Sequence, residues 1–597
     1  MNQPVFDTDI SRHIWKSRYC LCNDNGLMDE DVTATWRRVA HALAKAERHP
    51  DEWEEQFYTA LKDFRFIPGG RILAGAGSHH DITLFNCFVM GRIEDSRTGI
   101  DQAIQEGART MQLGGGVGYD FSTLRPRGCI GWNADETAAG PVACMNEWDS
   151  MCAQLLSGEA RRGAMMGTLR CDHPDIEAFI NAKRDASALS NFNLSVLVSD
   201  AFMQAVQNDE DWALCYPEAT LASADRARYP ELVETTWSGS DRPVPCRIFR
   251  HVRARKLWTA LMRANYETAE PGVLFIDQIN RLNNLGYKEQ ISSTNPCGEI
   301  PLPYYGACDL GSINLTRFVK EPFSTNAHID LAGLSAITQI AVRMLDNVID
   351  LSKYPLEKQR LREQADRRIG LGITGLGDTL IMLGLHYGEP SARHQAETIM
   401  KTVCHRAYRS SVALAREKGP FPSYEREGYL ASAFIQSLPN EIRQDIAKSG
   451  IRNSHLLAIA PTGTISLLAN NISSGIEPVF QFEYQRRVRD SKSDYQDFAL
   501  VNHAVRQWRL LHPQDPLPAY FITADDLMPE SHLLMQQALQ PFVDNAISKT
   551  IHVNAKIAYD EFTQIYEQAY VMGLKGCTIY HPNLIRGAVL TPRKSQF

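Results

Sequence analysis

The sequence lacks an apolar run of the roughly 20 residues that a membrane-spanning helix needs, and its start, MNQPVFDTDISRHIW, does not combine basic residues with an apolar stretch. Neither a membrane span nor a secretory leader is expected, and we expect a cytoplasmic protein. Paired CxxC clusters are also absent, although the chain has 13 cysteines. A zinc ribbon and a disulfide framework are therefore not favoured, and we expect no metal ion bound by side chains.

An excess of positive charge is missing as well. The chain has 62 lysines and arginines against 70 aspartates and glutamates, for a formal net charge of −8. This balance disfavours a nucleic-acid partner, because such proteins neutralise phosphates with lysine and arginine. An anionic small molecule remains possible, because a helix N-terminus and a few donors suffice to hold a phosphate. With 597 residues, 44% of them hydrophobic, the chain can bury a large core.

The hydrophobic pattern divides the chain into two regions. In residues 1–82, apolar side chains recur at helical spacing, as at Val32, Trp36 and Val39, which predicts a mainly helical N-terminal region. In residues 83–597, short apolar runs alternate with longer periodic stretches, which predicts an α/β fold with buried parallel strands. The predicted elements include strands at 83–90, 192–198, 272–276, 312–315 and 455–461, and helices at 331–352 and 391–418.

The most informative stretch is STNPCGEIPLPYYGACDLGSINL, in which Asn295, Cys297 and Glu299 occupy alternate positions. Pro296 favours an extended conformation for the residue before it, and Gly298 permits a sharp turn. Alternate residues of an extended segment point the same way. One loop tip is therefore predicted to present an amide, a thiol and a carboxylate to a single small molecule.

These three groups suit the removal of a hydroxyl from a sugar. A thiyl radical on Cys297 can abstract a carbon-bound hydrogen, while Glu299 accepts the proton of a neighbouring hydroxyl and Asn295 holds that oxygen. The electrons must come from a nearby pair of thiols that ends as a disulfide, and Cys308 follows on the same segment. The alternative interpretation is a buried turn with an inert cysteine, since unpaired cysteines are commonly buried.

NPCGEIPL followed by GACDLGSINL resembles the finger loop of ribonucleotide reductase catalytic subunits, particularly the adenosylcobalamin-dependent class II enzymes. The resemblance implies that Cys297 is the thiyl-radical residue, that Glu299 is the base for the 3′-hydroxyl, and that Asn295 orients the sugar. It also implies that Cys308 and Cys87, the latter in FNCFV, form the reducing pair.

The resemblance extends from about residue 64 to 592 and implies a fold. We expect a ten-stranded α/β barrel over residues 83–597, built from two five-stranded parallel halves that run antiparallel to each other. The finger loop, at about 290–312, would be threaded through its centre. Helices near 97–112 and 143–157 are expected to form a homodimer contact.

Two further sets of residues resemble the family's nucleotide sites. PTGTIS directly follows a predicted strand, and its backbone N–H groups and hydroxyls suit a phosphate. The resemblance implies that the substrate phosphates are bound by Thr462, Gly463, Thr464, Ile465 and Ser466. The segments 112–128 and 183–193 resemble the two specificity loops, although solvated loops remain an alternative. Deoxynucleotide or ATP effectors are expected at Asp95, Ser96, Arg125, Lys183 and Arg184.

The family generates its thiyl radical in three ways. A relay from a partner subunit requires two adjacent tyrosines, but GLKGCTIYHPN places Ile579 beside Tyr580. We find no C-terminal glycyl-radical motif. The resemblance therefore implies adenosylcobalamin as cofactor, with ribonucleoside diphosphates as the expected substrates. Two alternatives stay open: a class I-type large subunit with a radical-generating partner, and a nucleotide-binding regulatory subunit without turnover.

Two departures from the family concern the ends of the sequence. The chain ends GAVLTPRKSQF, without the cysteine pair that class II tails often carry, and its last cysteine is Cys577. We therefore expect electrons from a thioredoxin-like reductant or from a separate small subunit that bears cysteines. The N-terminal region is short for an ATP-binding cone, so control of substrate choice without an overall activity switch is expected. Cys20 and Cys22 are assigned no role.

Overall fold

The computed structural model describes residues 5–23, 26–132, 136–156, 164–185, 187–240, 242–489, 495–581 and 590–592. Most of the terminal sequence GAVLTPRKSQF lies outside these ranges, so the expectation drawn from it is not addressed. Within them, no helix is both long and apolar enough to cross a bilayer.

The N-terminal region is helical, as predicted, and begins with α1 (Asp9–Arg18), α2 (Val32–Ala44) and α3 (Pro50–Leu61). The side chain of Asp31 caps α2 by accepting a hydrogen bond from the backbone N–H of Ala34 at 2.9 Å. The other helices of eight or more residues are α4 (Arg97–Gln112), α5 (Pro141–Leu156), α6 (Asp200–Asn208), α7 (Ala254–Thr268), α8 (Leu331–Leu351), α9 (Glu357–Asp366), α10 (Pro390–Lys418), α11 (Asn440–Ser449), α12 (His503–Leu511), α13 (Pro529–Leu539) and α14 (Tyr559–Val571).

One large sheet organises the rest of the described chain. Its ten strands are β1 (Phe66–Pro68), β2 (Cys87–Val89), β3 (Gly116–Asp120), β4 (Met165–Arg170), β5 (Phe192–Val198), β6 (Gly272–Phe275), β7 (Ala307–Asn314), β8 (Ile369–Thr374), β9 (Thr550–His552) and β10 (Gly576–Tyr580). The spatial order is β8-β7-β2-β3-β4-β5-β6-β10-β9, and β1 pairs with β7 off this path. The predicted α/β class with buried, mostly parallel strands is confirmed.

Strand direction divides the sheet into two parts. Strands β2 to β6 are parallel to one another, as are β7 with β8 and β9 with β10. The two parts meet through antiparallel pairs, β7 with β2 and β6 with β10. Two parallel halves of opposite direction were expected from the resemblance, and this pairing supports that expectation.

The segment 455–461 was predicted to be a strand but forms only two isolated bridges, Leu371 with Leu457 and Ile459 with Ile547. It nevertheless connects the two edges of the sheet. The backbone N–H of Ala458 donates to Leu371 of β8 at 3.1 Å, and that of Ile459 donates to Ala546, before β9, at 3.1 Å. Closure into a barrel stays a prediction that these contacts support.

The strands of the large sheet do not all come from the region that was predicted to hold them. The segment 455–461 is not among them, whereas β1 lies in the region predicted to be helical. The three residues of β1 are too few to show a periodicity, and their pairing with Gly311, Ser312 and Ile313 of β7 is entirely tertiary.

Two three-stranded sheets of the described chain lie outside the large one. Strands Asp211–Pro217, Leu232–Thr236 and Pro243–Arg253 form an antiparallel sheet, and so do Glu483–Arg489, Tyr495–Val501 and Leu590–Pro592. Helices α8 and α10 were predicted within one residue of their observed bounds. Both present apolar faces to the same core, in which Leu345, Val348 and Val403 are buried.

A buried cluster of charges fixes the start of β8. Asp346 of α8 is fully buried and accepts hydrogen bonds from Arg367 at 2.9 Å and from Arg452 at 3.3 Å. It also accepts from the side-chain amide of Asn453 at 3.0 Å. Because Arg367 precedes β8 and Asn453 precedes the segment 455–461, one carboxylate holds both segments in place.

Replacing Asp346 with alanine should destabilise the protein strongly, because Arg367 and Arg452 would keep buried charges without their partner. The expected loss is about 3–5 kcal/mol in the free energy of unfolding, measured by urea denaturation. The control is Asp445→Ala, which breaks an ion pair with Arg416 whose side chains are 47% and 51% exposed. That change should cost less than about 1 kcal/mol. Equal effects of the two substitutions would contradict the importance of the cluster.

Candidate active site

The finger loop is a short hairpin whose tip is shaped by its own residues. Ser293–Thr294 pairs antiparallel with Pro301–Leu302. Inside the loop, the side-chain oxygen of Asn295 accepts a hydrogen bond from the backbone N–H of Ile300 at 3.0 Å. Gly298 has φ 81°, a conformation that strains other residues, as the sequence predicted. The result is a rigid turn with Cys297 exposed at its tip.

Both parts of the sheet hold this hairpin. A Cβ atom at Gly118 of β3 would lie 1.9 Å from the carbonyl oxygen of Thr294, so only glycine allows the hairpin to pass there. The side-chain amide of Asn193 on β5 donates to the carbonyl of Pro296 at 2.8 Å. From the other part, the backbone N–H of Ala546 donates to the carbonyl of Glu299 at 2.9 Å. The loop tip is thus fixed from two sides.

Two cysteines that are 221 residues apart in the chain are directly opposite each other in the sheet. Cys308 of β7 is the register partner of Cys87 of β2. Directly opposed residues of an antiparallel pair have Cα atoms roughly 4.5–5.5 Å apart, within the range that a disulfide spans. The side-chain amide of Asn295 donates to the sulfur of Cys87 at 3.2 Å, which joins the pair to the finger loop.

Burial sets the protonation of the groups around this pair. Cys308 is fully buried, and burial raises the pKa of its thiol well above the usual value. Glu299 is 2% exposed, and burial raises the pKa of its carboxyl to about 7, although a hydrogen bond from Asn295 acts in the opposite direction. One oxygen of Glu299 has no hydrogen-bond partner in the described chain. This carboxyl therefore titrates near neutral pH and has an oxygen left for a ligand.

A cavity of about 280 Å³ brings these groups together. It is lined by Cys87, Asn295, Cys297 and Glu299, while Cys308 lies behind Cys87 in a buried cluster. Residues 460–465 also line the cavity and include Thr462 to Ile465 of the predicted phosphate loop, whereas Ser466 lines a second cavity. Its volume suits a small polar metabolite more than a macromolecule.

The predicted phosphate loop follows a segment that forms isolated bridges instead of the expected strand, and it leads into a short helix. Thr462 has φ 52°, and its hydroxyl accepts a hydrogen bond from the backbone N–H of Gly475 at 2.8 Å. Thr464 precedes a short helix, Ile465–Leu468, and the Ser466 hydroxyl lies 3.0 Å from that of Ser474. Within the described ranges, no protein acceptor is found for the backbone N–H groups of residues 463–465. These N–H groups border the cavity and can take an anion.

A second, larger cavity of about 650 Å³ lies on the other side of Cys297. Its lining includes an ion pair of the buried Lys549 with the partly exposed Glu477, together with His552 and Tyr580. Burial, aided by the nearby Lys549 ammonium, lowers the pKa of His552 to about 3, so this imidazole is neutral. Cys297 lines both cavities, so the two cavities adjoin at this residue.

The predicted effector residues form two groups with different contacts. Arg125 makes a salt bridge with Asp95 at 2.7 Å, and Ser96 caps α4 by accepting from the backbone N–H of Gly99 at 3.0 Å. Lys183 instead forms a buried salt bridge with Glu270 at 2.8 Å. Arg184 lies 3.9 Å from Glu267 with most of its side chain exposed.

Several lining residues were not identified from the sequence. The small cavity includes Tyr19, Asn86 and the glycines 114–116, although the sequence assigned those glycines to a specificity loop. Glu477 and Lys549 of the large cavity were also missed. Apart from the glycines, each comes from a segment with no recognisable local motif.

Comparison with known proteins agrees with this arrangement. The family model described as "Ribonucleotide reductase, barrel domain" matches residues 85–580, and that described as "Ribonucleotide reductase, all-alpha domain" matches residues 5–81. The vitamin B12-dependent ribonucleoside-diphosphate reductase of Mycobacterium tuberculosis (strain CDC 1551 / Oshkosh) is 33% identical over 97% of this chain and 80% of its own length.

Two other relatives extend the comparison. The vitamin B12-dependent ribonucleoside-diphosphate reductase of Thermoplasma acidophilum is 31% identical over 95% of this chain and 70% of its own length. The ribonucleoside-diphosphate reductase subunit alpha of Chlamydia muridarum is 26% identical over 93% of this chain and 57% of its own length. The extent of these matches, together with the opposed cysteines and the finger loop, shows that this chain belongs to the ribonucleotide reductase large-subunit family.

Proposed function

We propose that this chain reduces ribonucleoside diphosphates to 2′-deoxyribonucleotides, with adenosylcobalamin as its cofactor. The observation that carries the proposal is the position of Cys297 between two cavities. The small cavity lies beside a carboxyl, an amide and a thiol pair, and the large cavity lies next to β10. The relatives named vitamin B12-dependent ribonucleoside-diphosphate reductases support both the substrate class and the cofactor.

In the small cavity, the sugar lies against the loop tip. Cys297, as a thiyl radical, takes the hydrogen atom from the 3′-carbon, while Glu299 accepts the proton of the 3′-hydroxyl and Asn295 holds the sugar oxygen. The 2′-hydroxyl leaves as water. The thiols of Cys87 and Cys308 supply two electrons and two protons and become a disulfide. Cys297 returns its hydrogen atom to the 3′-carbon, and Glu299 returns its proton to the 3′-oxygen.

The substrate phosphates are bound by the loop at the end of the same cavity. Its N–H groups and hydroxyls belong to Thr462, Gly463, Thr464, Ile465 and Ser466. The hydroxyl of Thr374 on β8 lies 2.9 Å from that of Thr462, so the loop is tied to the sheet. This connection fixes the distance between the bound phosphates and the finger loop.

The large cavity is the proposed site of the cofactor. Its wall offers the neutral His552, the phenol of Tyr580 and the Lys549–Glu477 pair as polar contacts for such a ligand. When bound there, adenosylcobalamin supplies the organic radical that initiates catalysis. Cys297 is exposed between the two cavities, so substrate and cofactor bound on either side would shield it from water, which protects a sulfur radical from side reactions.

Two alternative functions are less well supported. A class I-type large subunit would need a tyrosine beside Tyr580, but Ile579 occupies that position and is buried. A regulatory subunit without turnover would not need Cys87 and Cys308 in register with each other. Turnover in the absence of any partner protein would exclude both alternatives.

Further proposals concern regulation and partners. Effector nucleotides, deoxynucleotides or ATP, bind near Asp95, Ser96 and Arg125, with Lys183 and Arg184 as more distant contributors. Helices α4 and α5 form the contact of a homodimer. A thioredoxin-type reductant, or a separate small subunit that bears cysteines, restores the thiol pair. The division between a helical region and the catalytic domain is placed near residue 82.

Cys297→Ser should abolish turnover, because a serine hydroxyl does not form the equivalent radical. We expect deoxynucleotide formation to fall by more than about 10³-fold in an assay with adenosylcobalamin and dithiothreitol, with each nucleotide tested in turn. The control is Cys246→Ser, in the antiparallel sheet outside the large one, which should retain normal activity because this sulfur already donates to the carbonyl of Val244 and a hydroxyl can do the same. Turnover that survives in Cys297→Ser would contradict the mechanism.

The pH dependence of kcat/KM should reflect Glu299. The carboxyl acts as a base only when ionised, and its pKa is raised to about 7, so activity should be low at pH 6 and reach a plateau above about pH 8. Glu299→Gln should lower kcat by about 10²–10⁴-fold and remove this dependence. Glu441→Gln, at a side chain that is 82% exposed, is the control. An unchanged profile in Glu299→Gln would show that another group titrates.

Arg125→Ala should weaken effector binding, because the guanidinium orders the region around Asp95. We expect the effector concentration for half-maximal stimulation to rise by about tenfold, measured for each deoxynucleotide and ATP. Arg184→Ala should have a smaller effect, since its side chain is more than half exposed. Unaltered stimulation in Arg125→Ala would place the effector elsewhere.

A further inference from the structure

The small cavity has one positively charged side chain in its described lining, that of Arg71. This residue lies in the short helix Gly70–Gly75, which follows β1. The other charged residue of the described lining is Glu299, to which the proposed reaction already assigns a role. Arg71 is therefore the lining residue whose charge suits an anion, and the sequence assigned it no function.

The guanidinium of Arg71 is held by another part of the cavity wall. Its Nε donates a hydrogen bond to the carbonyl of Gly114 at 2.7 Å, and Gly114 lines the same cavity. Gly114 has φ 98°, and a Cβ atom there would lie 2.6 Å from Cζ of Arg71. Only glycine allows the guanidinium to lie against this backbone. An arginine fixed in this way loses little further conformational freedom when it binds a ligand.

The backbone before Arg71 is fixed next to the thiol pair. The N–H of Gly69 donates to the carbonyl of Leu310 on β7 at 2.7 Å. A Cβ atom at Gly69 would lie 2.7 Å from Oδ1 of Asn86, the residue before Cys87, and 2.8 Å from the Leu310 carbonyl oxygen. The segment that carries Arg71 is thus packed tightly against the strands of the thiol pair, which fixes the position of the guanidinium relative to the reacting groups.

The phosphate loop offers neutral donors, whereas the substrate is strongly charged. Backbone N–H groups and the hydroxyls of Thr462 and Thr464 carry no net charge. The inner phosphate of a nucleoside diphosphate, esterified on both sides, has about one negative charge, whereas a terminal phosphate has about −1.5 to −2 at pH 7. Hydrogen bonds from a guanidinium to a phosphate are roughly twice as strong as those between neutral groups. The terminal phosphate therefore has its best partner in Arg71.

We propose that Arg71 binds the terminal phosphate of the substrate and thereby makes this chain select nucleoside diphosphates over monophosphates. The inner phosphate lies on the loop of residues 461–465, and the guanidinium takes the phosphate beyond it. This inference rests on the proposed function and adds to it the residue that recognises the length of the phosphate chain. No bond forms or breaks at Arg71, so its loss lowers affinity and not the rate of the chemical step.

Two other roles for Arg71 lead to different expectations. If the side chain only supported the wall at Gly114, its loss would weaken monophosphates and diphosphates equally. If it contacted the nucleobase, its loss would affect one base more than another. Contact with the terminal phosphate weakens every diphosphate and leaves the monophosphates unchanged. The ratio of the two affinities therefore separates the three roles.

The first experiment measures binding without turnover. Equilibrium dialysis of the reduced enzyme, with a saturating deoxynucleoside triphosphate to occupy the effector site, gives dissociation constants for ADP, AMP, UDP and UMP. The wild type should bind each diphosphate at least about tenfold more tightly than the matching monophosphate, and Arg71→Gln should reduce this ratio below about threefold. Arg71→Lys keeps the charge without the fork of donors and should give an intermediate ratio. The control is Arg409→Gln, at a side chain that is 44% exposed, which should keep the wild-type ratio.

The outcomes of this experiment distinguish the inference from the proposed function. An unchanged ratio in Arg71→Gln, or a loss confined to one base, would overturn the inference alone. So would a loss that is equal for monophosphates and diphosphates. If Arg71→Gln does not fold, a wild-type ratio in Arg71→Lys overturns the inference. No binding of any of the four nucleotides by the wild type would overturn the proposed function as well.

The second experiment separates affinity from chemistry. With adenosylcobalamin, dithiothreitol and ADP, Arg71→Gln should raise KM by at least about tenfold and leave kcat within about threefold of the wild type, because a contact made equally in the ground state and the transition state is lost. The pH dependence assigned to Glu299 should remain. A large fall in kcat with KM unchanged would contradict the inference, since it would show that Arg71 shapes the reacting end of the cavity.

Discussion

The close passage of the finger hairpin through the sheet is the constraint on which the site depends. At Gly118 the backbone of the hairpin comes so near to β3 that an added Cβ would lie 1.9 Å from the Thr294 carbonyl oxygen. Hydrogen bonds from Asn193 and Ala546 then hold the hairpin from opposite parts of the sheet. Without this passage, Cys297 would not reach the point where the two cavities meet.

Burial gives the site a chemistry that solvent-exposed residues would not have. Hydrogen-atom transfer requires an S–H bond, and burial raises the pKa of Cys308, which keeps it a thiol. The same environment raises the pKa of Glu299 to about 7, so the carboxyl can exchange a proton near neutral pH. Enclosure of the hairpin is thus the common cause of two features. It gives the sulfurs surroundings of low polarity, and it gives the neighbouring carboxyl a raised pKa.

What the sequence could predict depended on how local each feature is. The turn at Gly298 follows from a few adjacent residues, so it was predicted. Asn295, Cys297 and Glu299 line one cavity, but not as alternate residues of an extended segment, because the backbone N–H of Gly298 donates to the carbonyl of Asn295 and closes a turn. Cys87 looked like a core residue and was assigned only by resemblance, because its partner is brought to it by strand register. Strand β1 and the cavity wall at Tyr19 are tertiary features without local signals, and they were missed.

The N-terminal helical region contributes residues to the lining of the site. The family models divide the chain between residues 81 and 85, yet the small cavity is lined from both sides of that division, by Tyr19 as well as by Cys87. The Ser11 hydroxyl holds the helix after the phosphate loop, and β1 pairs with β7, which carries Cys308. A change in the packing of α1 therefore alters the phosphate loop and the cavity entrance together, which gives this region influence over substrate binding.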